Sequence, residues 1–148
     1  MMLSTNFSLG EMLKSSTADR KGIPNNPTAD DIYNLGALAV HILQPLRNEY
    51  GAFIVSSGYR SPELCVAIGS NTTSQHAKGQ AADFEIPGIS NYDLAEWIED
   101  NLEFDQLILE CYKGGNTGWV HCSYIPDGRK ESLTYDRTQG YRKGLLEK

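Results

Sequence analysis

Residues 74–83 read Ser74-Gln75-His76-Ala77-Lys78-Gly79-Gln80-Ala81-Ala82-Asp83, and Trp119-Val120-His121 follows further along the chain. Two imidazoles and a carboxylate are three ligands for a four-coordinate metal, with the fourth position left to water. Three protein ligands and an open position distinguish a catalytic zinc site from a closed structural one. Zinc also accepts this mixture of N and O donors. In one unbroken helix His76 and Asp83 would lie almost two turns apart. Gly79 instead lets the chain turn between them, and Ala81 and Ala82 leave room for close packing beside an ion. Residues 80–86 then include a strand on which Ala81 and Asp83 share a face while Ala82 points away. His121 falls in mid-strand, a rigid platform for a third ligand. On spacing alone a hydrogen-bonded His–Asp pair is the competing reading.

Working outward, 104–112 and 118–124 read as two strands. Gly114-Gly115-Asn116-Thr117 between them predicts an antiparallel hairpin. Alternation places Glu110 and Tyr112 on one face of the first strand, and Trp119, His121 and Ser123 on one face of the second. If the register joins those faces, Glu110 points toward the metal, and Cys111 and Cys122 point away as core thiols. Ser8-Leu9-Gly10-Glu11 has capping-box spacing and predicts a short helix to about Lys14. Residues 21–27 are loop by composition. Thr28 opens the strongest helix, with Ile32, Leu35, Leu38, Ala39, Ile42, Leu43 and Leu46 at helical spacing. Pro45 should kink it before its end near Tyr50. Residues 53–56 read as a buried strand. Ser61 caps a helix with Pro62 at its first position, and Ser90 caps another carrying Leu94, Trp97 and Ile98. From residue 125 to 148 the pattern fades into a charged tail whose order the sequence does not define. The chain, 1–148, reads as one α+β domain with its core at about 7–124.

At 148 residues the chain can build a core without staples. A formal net charge of -6 argues against nucleic acid as a partner, because phosphate binding needs clustered Lys and Arg. No apolar run approaches the roughly 18 residues of a membrane span, which argues against membrane insertion. Residues 1–7 show neither a basic nor a long apolar segment, so no signal peptide is visible and synthesis in the cytoplasm is expected. Cys65, Cys111 and Cys122 are odd in number and form no pairing framework, which fits a reducing compartment.

The S-x-H-x-x-G-x-A-x-D segment with its later W-V-H resembles the zinc D-alanyl-D-alanine carboxypeptidase superfamily. Relatives there include vancomycin-resistance D,D-dipeptidases, phage L-alanyl-D-glutamate endolysins and the hedgehog signalling domain. Ser56-Ser57-Gly58-Tyr59-Arg60-Ser61-Pro62 resembles the family's S-G-Y-R-S-P turn, and residues 104–110 resemble the strand before its last ligand. The resemblance implies an antiparallel sheet flanked by helices, and one Zn2+ ion held by His76, Asp83 and His121. It also implies that Arg60 sits beside the zinc and contacts substrate, as a guanidinium suits a carboxylate or a polarised carbonyl. Glu110 is the candidate general base, with an ion pair to Arg60 or Lys113 as its competing role. The D,D-dipeptidases and some endolysins carry a glutamate three residues before the last histidine, where this chain has Gly118. Ser74 is placed to orient His76 or touch substrate, and Tyr59 and Trp119 either line a groove for an extended peptide or belong to the core. His41, on the long helix, reads as structural. No G-x-S-x-G or Ser-His-Asp order supports serine chemistry.

The activity so implied is zinc-dependent hydrolysis of peptidoglycan stem peptides, of D-Ala-D-Ala carboxypeptidase or endolysin type. A compact chain without a visible export signal suits a phage lysis or virion enzyme. The alternatives are a non-catalytic zinc-containing binding module and a phage structural protein. Oligomeric state is not legible.

Overall fold

In the computed structural model, which describes residues 1–147, side-chain caps set the helix starts. Ser8 and Glu11 close a capping box over α1 (Leu9–Leu13). Ser15 caps α2 (Ser16–Lys21), which Gly22 ends in a left-handed turn; this helix is absent from the sequence reading. Thr28 and Asp31 close a second box over α3 (Ala29–Leu38). A π-helical turn, Ala39–Leu43, joins α3 to α4 (Gln44–Tyr50), and the Gln44 N–H donates to the Ala39 carbonyl. Pro45 explains it: proline lacks an N–H and its ring crowds the carbonyl four residues earlier. The widened turn absorbs that crowding, so the expected kink takes the form of a π-bulge.

The chain continues through β1 (Val55–Ser57), α5 (Pro62–Ala67), a 3-10 turn (Gln75–Lys78) and β2 (Ala81–Phe84). Then come α6 (Asn91–Asn101), β3 (Gln106–Glu110), β4 (Trp119–Ser123), β5 (Glu131–Asp136) and β6 (Gly140–Lys143). The six strands form one sheet in the order β1-β2-β4-β3-β5-β6. Every neighbouring pair is antiparallel except β3–β5, which is parallel. The architecture is the expected α+β one, a mostly antiparallel sheet with helices against it.

One sheet face supplies Ala82, Phe84, Leu107, Leu109, Val120 and Cys122 to the core. They pack with Leu35, Leu38, Ile42, Leu43 and Leu46 of the long helical segment and Leu94 and Ile98 of α6. Each buried Leu, Ile, Val or Phe among them contributes about 1.5–3 kcal/mol relative to exposure. Period-two alternation turns Asp83, Ile108, Glu110 and His121 to the opposite face. The tail left undefined by the sequence is ordered on that sheet: β5 pairs with β3 from Gln106↔Glu131 to Glu110↔Tyr135, and β6 closes a hairpin on β5.

Candidate metal centre and active site

The 3-10 turn aims His76. Ser74 Oγ accepts from the His76 backbone N–H at 3.2 Å, capping the turn. Gly79 ends it at φ +73, and a side chain there would run into the Asp31 carbonyl of α3. Glycine is required on both counts. β2 then sets Asp83 directly opposite His121 on β4. His76 Nδ1 lies 2.7 Å from the Gly58 carbonyl. A carbonyl only accepts, so Nδ1 carries the proton and Nε2 presents its lone pair. Among the described residues that buried Nε2 has no hydrogen-bond partner. It lies 3.4 Å from Asp83 Oδ1, and His121 Nδ1 lies 2.9 Å from the same oxygen.

One donor atom from each of the three residues falls within 4.8 Å of the others. Tetrahedral zinc with arms of about 2.0–2.2 Å spaces its donors by roughly 3.3–3.6 Å. The triangle fits such an ion. The orphaned, carbonyl-oriented Nε2 fits it too, since ligating histidines ordinarily anchor their other ring nitrogen in this way.

Electrostatics divides the neighbouring groups. Burial lowers the His76 pKa, and Arg60 and His121 add to that against the pull of Asp83, which favours the neutral ring a metal needs. Burial acts to raise the Asp83 carboxyl, but hydrogen bonds and charge from His121 and His76 outweigh it and hold Asp83 below the usual carboxylate range. Arg60 Nη2 stands 3.4 Å from Asp83 Oδ2. Glu110 shifts the other way. Burial raises it and the Asp83 charge adds to the rise, opposed by His121, the Trp119 N–H and Arg60.

These groups surround a cleft of about 490 Å³ whose walls include Arg60, Ser74, Gln75, Glu110, Trp119 and Tyr141. The register sets Ile108 opposite His121 and Glu110 opposite Trp119, so Glu110 faces the same side as the triangle. Trp119 Nε1 donates to Glu110 Oε2 at 2.9 Å. Tyr59 takes the core alternative rather than the groove. It is 2% exposed in the core and outside the cleft wall, pinned by its backbone N–H to the Met12 carbonyl. Cys111 departs from expectation: it is half-buried at φ +55 beyond the end of β3, whereas Cys122 is a core thiol. His41 stacks on Tyr124 with ring centroids 4.4 Å apart, away from the cleft.

Gly118 has a backbone cause. It sits at φ +67, and a Cβ there would meet the Glu110 carbonyl oxygen and Cys111. This hairpin has no room for a glutamate at 118, and the carboxylate beside the triangle comes from the adjacent strand instead.

Two contributors escaped the sequence reading. Asp105, 2% exposed, accepts from the Arg129 backbone N–H, Arg129 Nε, Arg129 Nη2 and Gln75 Nε2, all at 2.9–3.0 Å. The Arg129 hydrogen bond, helped by its backbone N–H and Gln75 against burial, lowers Asp105 to about 2. Asp105 thus ties the tail to the residue preceding His76. Tyr141, also from the tail, completes the cleft wall. No local pattern marked either one, because both depend on β5 pairing with β3.

The sequence profile of the family described as Peptidase M15 matches residues 5–123. No curated protein matches the chain.

Proposed function

The chain belongs to the peptidase M15 family, the zinc D-alanyl-D-alanine carboxypeptidase superfamily, and from that premise we propose that it hydrolyses a peptide bond in peptidoglycan stem peptides. The bond is of the D-Ala-D-Ala or L-Ala-D-Glu kind. The observation that carries the reading is the buried, unpartnered His76 Nε2 aimed at Asp83 and His121.

His76, Asp83 and His121 would hold the zinc. When bound, zinc supplies Lewis acidity, bringing the pKa of water toward about 7 and polarising a carbonyl. Glu110 accepts the proton of the attacking water at its carboxylate and returns it to the departing amine. Its raised pKa makes it a better proton acceptor than an ordinary carboxylate. Trp119 holds one Glu110 oxygen, which fixes the direction in which the other faces the cleft. Arg60 presents a guanidinium for a substrate carboxylate or a developing oxyanion. Ser74 holds the backbone of His76 and so orients the ring.

Digestion of purified peptidoglycan followed by mass spectrometry of the muropeptides tests the proposal. New amino and carboxyl termini should appear at one bond, and chelation should abolish them. Undiminished cutting after the metal is stripped would sink the reading.

A further inference from the structure

The metal-bearing face of the sheet does not stop at Glu110. Cross-strand registers line up Trp119, Glu110, Tyr135 and Tyr141 on four successive strands, β4, β3, β5 and β6. Directly opposed residues share a face, so the two tyrosines continue the surface that carries Glu110. Their rings lie 4.6 Å apart between centroids, and Tyr141 is 61% exposed while forming part of the cleft wall. A second cavity, about 730 Å³, begins on the other side of Trp119, with Lys113, Asp136 and Arg137 in its wall. The two cavities share Trp119.

Charge differs sharply between this arm and the whole chain. Residues 129–143 hold five cations (Arg129, Lys130, Arg137, Arg142 and Lys143) and two acidic groups, Glu131 and Asp136, a net +3 in a chain of net charge -6. Arg129, Lys130 and Arg142 are engaged by Asp105, Glu103 and Asp136, while Lys113 and Arg137 stand in the wall of the second cavity. The arm also lies wholly beyond residues 5–123, which the family profile matches. An aromatic shelf continuous with a hydrolytic cleft supports an extended chain, and a local basic field selects an anionic one.

We propose that the β5–β6 hairpin is a substrate-docking arm, in which Tyr135 and Tyr141 carry an acidic peptide away from the metal cleft and Lys113 and Arg137 receive its carboxylates. This rests on the peptidase reading for the identity of the cleft, and adds to it which part of the molecule chooses the substrate.

The test is calorimetric binding of two synthetic probes to the full chain: an L-alanyl-D-glutamyl stem peptide with free carboxylates, and the same peptide as its carboxamide. Wild type should bind the acid form more tightly. Tyr141→Ala should weaken that binding about fivefold or more, while Tyr141→Phe, which keeps the ring, should stay near wild type. The double variant Lys113→Gln/Arg137→Gln should bring the two probes to parity. Tyr33→Ala, 77% exposed on α3 and outside the cleft, serves as the control. Equal binding of the probes by wild type, binding of neither, or an unaffected Tyr141→Ala would each overturn the docking arm. Mass spectrometry of the same mixtures separates the two claims: a peptide bound with this preference yet never cut leaves the arm standing and removes the peptidase.

Discussion

On β2, Asp83 lies between two imidazoles and the Arg60 guanidinium, all within 3.4 Å. Two strands away on β3, Glu110 has one indole N–H and is otherwise desolvated. Both carboxylates are part-buried on the same sheet face, yet the first is held below the usual range and the second is pushed above it. Such a pair divides labour. A group that stays ionised suits a cation, and a group whose affinity for a proton has been raised suits proton transfer. On the function proposed above, the β2–β4 half of the face would hold the ion and the β3–β5–β6 half would work on what the ion binds.

The hardest blow to this contrast falls on the ion-holding half. Asp83→Asn keeps the shape and removes the charge that both histidines and Arg60 address. Zinc content by elemental analysis should drop from one per chain to near none, and peptidoglycan hydrolysis should fall to background. Stoichiometric zinc in that variant would break the comparison outright. Glu110→Gln is the mirror experiment. It should lower kcat by roughly 10²–10⁴-fold, the range for losing a general base, with zinc content unchanged. If zinc is lost with Glu110, or kcat survives, the two halves are not distinct.

How much of this contrast the sequence displays follows the same division. The ion-holding half is legible because its information is local: His76, Gly79 and Asp83 lie within one turn and one strand, and His121 has the alternation of its own strand. The other half depends on pairings between distant segments. In Glu131–Asp136 the alternating Leu133 and Tyr135 lie on a half-buried face and only Thr134 is buried, so β5 carries a short, weak apolar signal, and its parallel pairing with β3 leaves no turn signal. The hairpin that brings Tyr141 to the cleft has a local turn, held by Asp136 and Gly140, but its place beside β3 does not follow from that turn. α2 is hidden similarly, with Ala18 its one buried residue. Tyr59 is not placed by the sequence, because an aromatic beside a motif looks the same there whether it faces cleft or core. Gly118 was visible as a departure, but its cause, the carbonyl of Glu110 in the next strand, was not.

Asp105 lies at the seam of the two halves, joining Gln75 to Arg129, and it allows a smaller test. Its folded-state pKa of about 2 is below the ordinary 3.8, so the folded state favours the ionised form. That stability is present in full above the ordinary carboxylate pKa and is lost as pH falls toward about 2. Asp105→Asn should cost about 2 kcal/mol at neutral pH by urea denaturation, and the gap to wild type should shrink on titration to pH near 2. A constant gap would mean that packing, rather than charge, supplies the seam.

The mildest perturbation alters only the bond between Trp119 and Glu110. Trp119→Phe keeps an aromatic wall and removes the one N–H that the structure aims at Glu110 Oε2. The indole donor acts to lower the Glu110 pKa, so its loss should raise that pKa further. A base protonated until higher pH moves the acid limb of kcat/KM upward. Above that limb kcat should recover, because the carboxylate itself remains. An acid limb that stays in place would show that some other group sets it, and would return Glu110 to the role of a desolvated neighbour. A limb that moves while zinc content stays constant would locate the proton transfer on β3, next to the metal but outside its ligand set.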